Sequence, residues 1–362
     1  MQVALLANTA WLDEELPMFQ HLIVGLIDEQ VRVVQVVPSS LAVSECSVFG
    51  ERLPWNETTW HWINQRRLRQ LMDPLMDLQV NALHALDGRM WRAAGYLSRE
   101  LGVPAILTAN SHFDIPLARQ LAPRLDPART ILLPTTDPIA EGLREAVGDR
   151  IEVQKIALGV YSPKNEKACN ISEARAVVIS GNGLMDRYYD ALLNAIKRVQ
   201  HHHPQVQFFF DGQGADQSLI WREAKRLGLS ANTSLVPRRL GHREMLLRTD
   251  VLIHPQPQGR ARGITLQAMA KGLPMIAMAD PWLDHLIDDQ TAWVVTNPTA
   301  EGFFDPLQRC LSDPSSARGL GERAQAWVHK NRLASAYIRR TLRAYRSLTG
   351  EGIPIAAGAA AS

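Results

Sequence analysis

Cysteine is scarce in this sequence: its 362 residues include three, at positions 46, 169 and 310. Scattered cysteines in an odd number argue against a disulfide framework and against a structural zinc site. An excess of one charge is also missing, because 39 basic and 37 acidic side chains leave a formal net charge of +2. So balanced a chain gives no electrostatic reason to expect nucleic acid as the main partner.

Long apolar runs are missing as well. No run reaches the length of a membrane span, and the first residues read as a strand, not as a basic segment followed by an apolar one. A cytoplasmic protein is therefore expected. The sequence contains no Asp-x-Asp triplet and no Gly-x-Ser-x-Gly, so it implies neither a metal ion nor a serine nucleophile.

Short apolar segments alternate with helical patterns along almost the whole chain, which predicts an α/β fold with parallel, doubly wound sheets. Twelve strands are too many for one small sheet, so two domains are expected. The predicted strands cover residues 3–8, 31–37, 80–84, 105–108, 130–133, 151–155, 176–180, 206–211, 234–236, 251–254, 275–279 and 292–295.

The polar segment 159–167, which contains Pro163, separates two complete α/β runs. It predicts a first domain over residues 1–160 and a second over 161–333. The chain then becomes wholly helical, and a last helix over 334–349 is expected to return to the first domain. Residues 350–362, rich in glycine and alanine, are predicted to form a flexible tail.

The most informative segment is 263–279, which reads as a short helix, a stop at Gly272, Pro274 and a buried strand. A Pro-Gln-Pro-Gln-Gly loop precedes it. The start of such a helix presents free backbone N–H groups and a partial positive charge, which suit an anionic ligand such as a diphosphate.

The sequence Ala-Met-Ala-Lys-Gly-Leu-Pro at 268–274 resembles the donor-sugar site of family 4-like glycosyltransferases with the GT-B architecture. Further turns that resemble this family follow in the right order, at 158–160, 181–184 and 212–214. The resemblance implies two Rossmann-like domains facing each other across a cleft. It also implies transfer of a sugar from a nucleotide-sugar donor to a glycan or lipid-linked acceptor, with retention of configuration and without a cofactor.

Two glutamates of the family's donor motif are replaced here, the first by Gly259 and the second by Gln267. Gln267 can still accept a hydrogen bond from a ribose hydroxyl, but without the charge of a carboxylate. The losses leave a second interpretation open: a catalytically inactive relative that binds sugar or serves as a scaffold subunit. A nicotinamide-dependent enzyme fits the sheets but lacks a sound glycine fingerprint.

The resemblance also implies roles for individual residues. Arg187 would neutralise the departing diphosphate, as a lysine does in the family, and Arg260 and Arg262 would hold it. The alternative for each arginine is an ordinary surface position. The expected donor-binding residues are Gly181, Asn182, Gly212, Gly214, Pro237, Arg260, Arg262, Gly263, Ile264, Thr265 and Gln267.

On the acceptor side, the family often carries a histidine after a strand of the first domain. His112 is the candidate here, with Asn110 as the alternative position. Asp114 could accept a hydrogen bond from a sugar hydroxyl or could cap a helix. His84 is a weaker candidate, and a loop over residues 8–15 is expected to place Trp11 and Asp13 near an acceptor.

Residues 60–69 combine aromatic and basic side chains at helical spacing. They could lie on an anionic membrane and position a lipid-linked acceptor. They could equally form an amphipathic helix that packs on the sheet with a solvated basic face.

Overall fold

A computed structural model describes residues 1–41, 49–56, 61–162, 175–212, 219–237 and 246–350. Over these residues the chain forms thirteen strands in two sheets, and it divides into two compact units. The first unit comprises Met1–Leu12, Leu22–Ala157 and the residues from Ser335 onward. The second comprises Leu158–Ala334 together with Asp13–His21.

The sheet of the first unit has seven parallel strands in the order β3-β2-β1-β4-β5-β6-β7. Its central strands are continuous apolar runs, as expected for a parallel sheet covered on both faces. The strands are β1 (Gln2–Leu6), β2 (Arg32–Val37), β3 (Glu51–Pro54), β4 (Ala82–Ala85), β5 (Ala105–Ala109), β6 (Thr130–Pro134) and β7 (Glu152–Val153).

Five helices connect these strands: α1 (Thr9–Asp28), α2 (His61–Asp77), α3 (Trp91–Leu101), α4 (Asp114–Leu121) and α5 (Asp137–Val147). The side chain of Asn8 caps α1 by accepting the N–H of Trp11. Within α1, Glu15 has non-helical torsions (φ −123°, ψ 19°) and Pro17 follows two residues later. Proline removes a helical N–H and clashes with the preceding turn, which accounts for a kink at this point.

The sheet of the second unit has six parallel strands in the order β10-β9-β8-β11-β12-β13. They are β8 (Ala176–Ile179), β9 (Gln207–Gly212), β10 (Thr233–Pro237), β11 (Val251–His254), β12 (Met275–Met278) and β13 (Trp293–Val295). The helices are α6 (Arg187–His202), α7 (Leu219–Arg226), α8 (Gly263–Ala270), α9 (Ala300–Ser312) and α10 (Pro314–Asn331).

The last helix, α11 (Ala334–Thr349), belongs to the first unit from Ser335 onward. It packs so closely on α1 that a Cβ added at Gly25 would lie 2.0 Å from Cδ1 of Ile338. The Tyr345 hydroxyl is 2.6 Å from Nδ1 of the buried His84, which fixes the helix against β4. The expected α/β class, with two parallel sheets and a last helix returning to the first domain, is confirmed.

One strand was not foreseen. Strand β3 reads Glu-Arg-Leu-Pro, a polar sequence that is tolerated because, within the described residues, β3 pairs on one edge only, with β2. The residues from Asp114 onward form α4, the helix considered as the alternative for that segment. The loop expected over residues 8–15 is wrong: Asn8 is a helix cap, and Trp11 is buried in the first turns of α1.

Candidate functional site

Loops on either side of the switch point in the second sheet, together with helix α8, carry most of the expected donor residues. The strand order reverses between β8 and β11, and ligands of open α/β sheets bind beyond the carboxyl ends of strands at such a point. The loop after β8 contains Ser180, Gly181 and Asn182. The loop after β11 contains Gln256 and leads to Arg262 and helix α8.

The start of α8 is occupied by a carboxylate of the same chain. The backbone N–H of Gly263 donates to both carboxylate oxygens of Glu15, at 3.1 and 3.0 Å. The N–H group expected to be free is therefore already bonded. A Cβ at residue 263 would lie 2.5 Å from Cγ of Met18 and 2.6 Å from an oxygen of Glu15, so this close approach requires glycine.

Glu15 is buried, and burial raises its pKa to about 7, against the lowering effects of Arg262, Arg260 and the Gly263 N–H. Desolvation outweighs these attractions because the side chain is 3% exposed. Glu15 is also the residue with non-helical torsions at the kink before Pro17. The start of α8 thus holds an internal anion whose charge changes near neutral pH.

Arg262 is one of the largest fully buried side chains of the protein, 1% exposed. Its Nη1 donates to Oγ of Ser180 at 3.1 Å and to the carbonyl of Gly181 at 3.2 Å. Its Nε lies 3.9 Å from Glu14, whose carboxylate also pairs with Nη1 of Arg260 at 2.9 Å. Both expected diphosphate-binding arginines are therefore in one place, and Glu14 partly neutralises them.

The turn after β8 is held by Gln256. Its Oε1 accepts the N–H of Asn182 at 3.0 Å, and its Nε2 donates to Asp186, which caps α6. Gly181 must remain a glycine here, since an added Cβ would lie 2.3 Å from the Tyr189 hydroxyl. The turn is therefore rigid and brings the Gly181 carbonyl to Arg262.

Arg187 lies one residue after the Asp186 cap, exposed, in the first turn of α6. Its Nη2 donates to the Tyr188 hydroxyl at 2.9 Å, and its guanidinium lies over the Tyr188 ring at 4.8 Å from the centroid. Both contacts are with the neighbouring Tyr188 side chain.

The side chains of Ile264 and Thr265 point into the protein. Both are buried, and Thr265 Oγ1 donates to the carbonyl of Arg262 at 2.8 Å. These two residues can therefore offer a ligand only their backbone.

Gln267 lies one turn into α8, half-buried, with Nε2 3.8 Å from Sδ of Met18. Gly259 has a positive φ of 57° and donates its N–H to Asp280 at 2.7 Å.

Gly212 and Pro237 are paired in register at the carboxyl ends of β9 and β10. They lie at the edge of the sheet where the resemblance expects the donor. Gly214 lies outside the residues that the structure describes.

The candidate acceptor residues lie after β5 in the first unit. Asn110 is buried, and its Nδ2 donates to the carbonyl of Leu86 at 2.7 Å. Asp114 accepts the N–H groups of Asn110 and Ser111 at 3.0 Å each, so it holds the turn before α4, whose cap residue is Phe113. His112 is half-buried, with its ring centroid 3.9 Å from that of Phe113. Of the three, His112 has the side chain most accessible to an acceptor.

His84 is a core residue. Nδ1 is 2.6 Å from the Tyr345 hydroxyl, and Nε2 is 2.7 Å from Oγ1 of Thr108. Burial lowers the pKa of His84 to about 3, so the ring is neutral. The expectation that it faces an acceptor is wrong, since both ring nitrogens already have protein partners.

Sequence reasoning missed Glu14, Glu15 and Gln256. Three adjacent carboxylates, Asp13 to Glu15, shortly before Pro17 in a largely apolar helix were a signal that this turn meets positive charge. Gln256 had no comparable signal beyond its position after a strand.

Among the described residues, no group of three His, Cys, Asp or Glu side chains could hold a metal ion. Within the same ranges, no helix is long and apolar enough to cross a bilayer.

Residues 163–327 match the family model "Glycosyl transferases group 1", a little under half of the 362 residues. The matched range contains the switch-point loops, Arg262 and α8. The matched range lies within the second unit. No curated protein matches the chain significantly.

Solved structures match over almost the whole chain. A glycosyltransferase from Rickettsia africae superposes with a TM-score of 0.76 at 12% identity, covering 97% of this chain and 99% of that one. Anabaena HepE in complex with UDP and glucose gives 0.74 at 13%, covering 96% and 100%. Sucrose-phosphate synthase from Thermosynechococcus elongatus gives 0.72 at 15%, covering 97% and 100%. At these identities the likeness establishes the GT-B fold.

Proposed function

We propose that the second unit binds a nucleotide-sugar donor and the first unit an acceptor, and that the sugar is transferred to an acceptor hydroxyl with retention. One observation carries the proposal. Inside the family-matched range, the start of α8 already binds the Glu15 carboxyl through the Gly263 N–H, and Arg260 and Arg262 lie beside the Glu14 carboxylate. A diphosphate requires the same backbone N–H and guanidinium donors.

Donor binding then requires Glu15 to give up its contact with Gly263. Its raised pKa makes this easier at and below neutral pH, because the protonated side chain is a weaker competitor for an N–H donor. Anabaena HepE has been solved with UDP-glucose, and we extend nucleotide-sugar binding to this chain. Gln267 would accept a hydrogen bond from a ribose hydroxyl.

The transfer itself needs no covalent nucleophile in this proposal. Arg260, Arg262 and the start of α8 would stabilise the diphosphate as its bond to the sugar breaks, and Arg187 would swing in from Tyr188. The acceptor hydroxyl would be positioned by His112 and Asn110. Catalysis would thus rest on positioning and on electrostatic stabilisation of the leaving group.

The test is release of nucleoside diphosphate from a panel of nucleotide sugars. Arg260→Gln is the informative variant, because this side chain is 24% exposed and its removal leaves the core intact. A loss of ~100- to 1000-fold in turnover is expected when such a stabilising group is removed. Arg198→Gln, on an exposed arginine of α6 paired with Glu301, is the matched control and should keep full activity. Equal activity of the two variants would contradict the proposed site.

A non-catalytic sugar-binding or scaffold role is the second candidate. Two observations favour it: Gly259 and Gln267 replace the family's glutamates, and Glu14 pairs with Arg260 while Glu15 occupies the Gly263 N–H that a donor would need. A wild-type protein that binds UDP but turns over no donor in the panel would establish this role.

A cytoplasmic location and a part in glycan or polysaccharide synthesis belong to the same proposal. So does a lipid-linked acceptor approached at the membrane surface. Vesicle flotation with and without anionic lipid would test the membrane contact.

A further inference from the structure

A cavity lies wholly within the first unit, between α2, α3 and the turn after α4. Its volume is about 530 Å³, which is in the range of small-molecule sites. Its floor is apolar and buried: Trp55, Leu68, Trp91 and Leu125 are each between 0% and 9% exposed. None of the residues expected to bind the donor lines it, and neither Asn110 nor His112 does; Asn64, Gln65 and Leu68 of the segment 60–69 do.

Four arginines line this cavity: Arg89, Arg92, Arg99 and Arg124. Their side chains are exposed, so they form its rim. The residues named as its lining include no aspartate or glutamate, which gives the lining a formal charge of +4.

The spacing along α3 explains how several cations reach one cavity. Arg92, Tyr96 and Arg99 are four and three residues apart, so they share one helix face. Arg92 donates to Gln120 at 2.8 Å, and Arg99 pairs with Glu100 and lies 5.6 Å from the centre of the Tyr96 ring. These contacts are exposed and weak, and a ligand can replace them.

We propose that this cavity binds an organic phosphate, with the phosphate groups on the arginine rim and an apolar portion on the tryptophan and leucine floor. Guanidinium groups match phosphate oxygens in shape and charge, and Arg makes paired hydrogen bonds to them. An inorganic anion would use only the rim. A neutral apolar molecule would use only the floor and leave the arginine rim unused.

Calorimetry with three probes separates these contributions. Farnesyl diphosphate carries both a diphosphate and an apolar chain, inorganic pyrophosphate carries only the first, and farnesol only the second. Farnesyl diphosphate is expected to bind at least tenfold more tightly than either of the others.

The double variant Arg89→Gln with Arg124→Gln should weaken farnesyl diphosphate binding at least tenfold, since each lost charged hydrogen bond is worth a factor of ten or more. Its matched control is Arg119→Gln with Arg144→Gln, which removes two exposed arginines of the same unit outside the cavity. Because all four positions are exposed, folding should be unaffected. UDP binding should be equal in both variants, which separates this site from the donor site.

Vesicles of phosphatidylcholine with and without phosphatidic acid identify the source of the phosphate. Vesicle binding with the same arginine dependence assigns it to a lipid headgroup, and binding of the soluble probe alone assigns it to a free metabolite. Pyrophosphate binding as tight as farnesyl diphosphate binding would overturn the proposal. So would equal affinities in the two double variants, or failure of every probe and vesicle to bind.

Discussion

Replacing Glu15 with glutamine should stabilise the protein at alkaline pH. Glutamine keeps the size of the side chain and its carbonyl can still accept the Gly263 N–H, but it carries no charge at any pH. Burial raises the Glu15 pKa from 4.5 to about 7, so ionising this carboxyl in the folded protein is unfavourable.

The magnitude follows from the shift. A carboxyl whose pKa is raised by folding binds its proton more tightly in the folded state. The free energy of unfolding therefore falls as pH rises from 4.5 toward 7, and the whole decrease is present above pH 7. The Glu15 pKa rises by about 2.5, and each pKa unit corresponds to about 1.36 kcal/mol, so the free energy of unfolding falls by roughly 3 kcal/mol. Glu15→Gln should exceed the wild type in stability by that amount at pH 9, and the difference should vanish near pH 4.5.

Urea unfolding at five values between pH 5 and pH 9 measures the difference. Glu100→Gln is the control, because this carboxylate lies at the surface beside Arg99 and should change stability by less than about 1 kcal/mol. If the Glu15 variant is less stable than the wild type at pH 9, attraction to Arg260 and Arg262 outweighs desolvation, and the reasoning is refuted.

Three further predictions concern single residues. Gly263→Ala should destabilise the protein by about 1–3 kcal/mol in urea unfolding because its Cβ meets Met18 and Glu15, whereas Gly319→Ala, in an open position of α10, should not. Tyr345→Phe should cost about 1–3 kcal/mol by leaving Nδ1 of the buried His84 without its partner, and an unchanged melting temperature would contradict this. Gln267→Glu should tighten UDP binding in calorimetry by up to ~1.4 kcal/mol; equal or weaker affinity would argue against a ribose contact.

Sequence patterns predicted the strands well because the strands are buried on both faces. Val251–His254 is uniformly apolar and lies where it was expected, and every other predicted strand overlaps an observed one. Strand β3 escaped prediction because an edge strand needs no apolar run. The β-propensity of its residues could not reveal β3, because β3 is a strand through its pairing with β2.

The candidate site was predicted less completely. The motif at 268–274 located α8, and Gly263 and Arg262 were named from it. What fills the start of α8 could not be read from the motif, because Glu15 lies 248 residues away along the chain. Long-range pairing of this kind leaves no periodic signal. His84 was misjudged for the same reason, since its partner Tyr345 lies 261 residues away.

The contact between Glu15 and Gly263 also has a consequence for synthesis on the ribosome. The segment Asp13–His21 is among the first to be made, yet the unit to which it belongs is completed only near Ala334. At about 5–20 residues per second, Glu15 waits on the order of 12–50 s for Gly263, 248 residues later, to be added. During that interval the kinked turn and its two carboxylates have no binding partner from the second unit. The segment Asp13–His21 should therefore stay accessible to chaperones and proteases long after the first strands have been made.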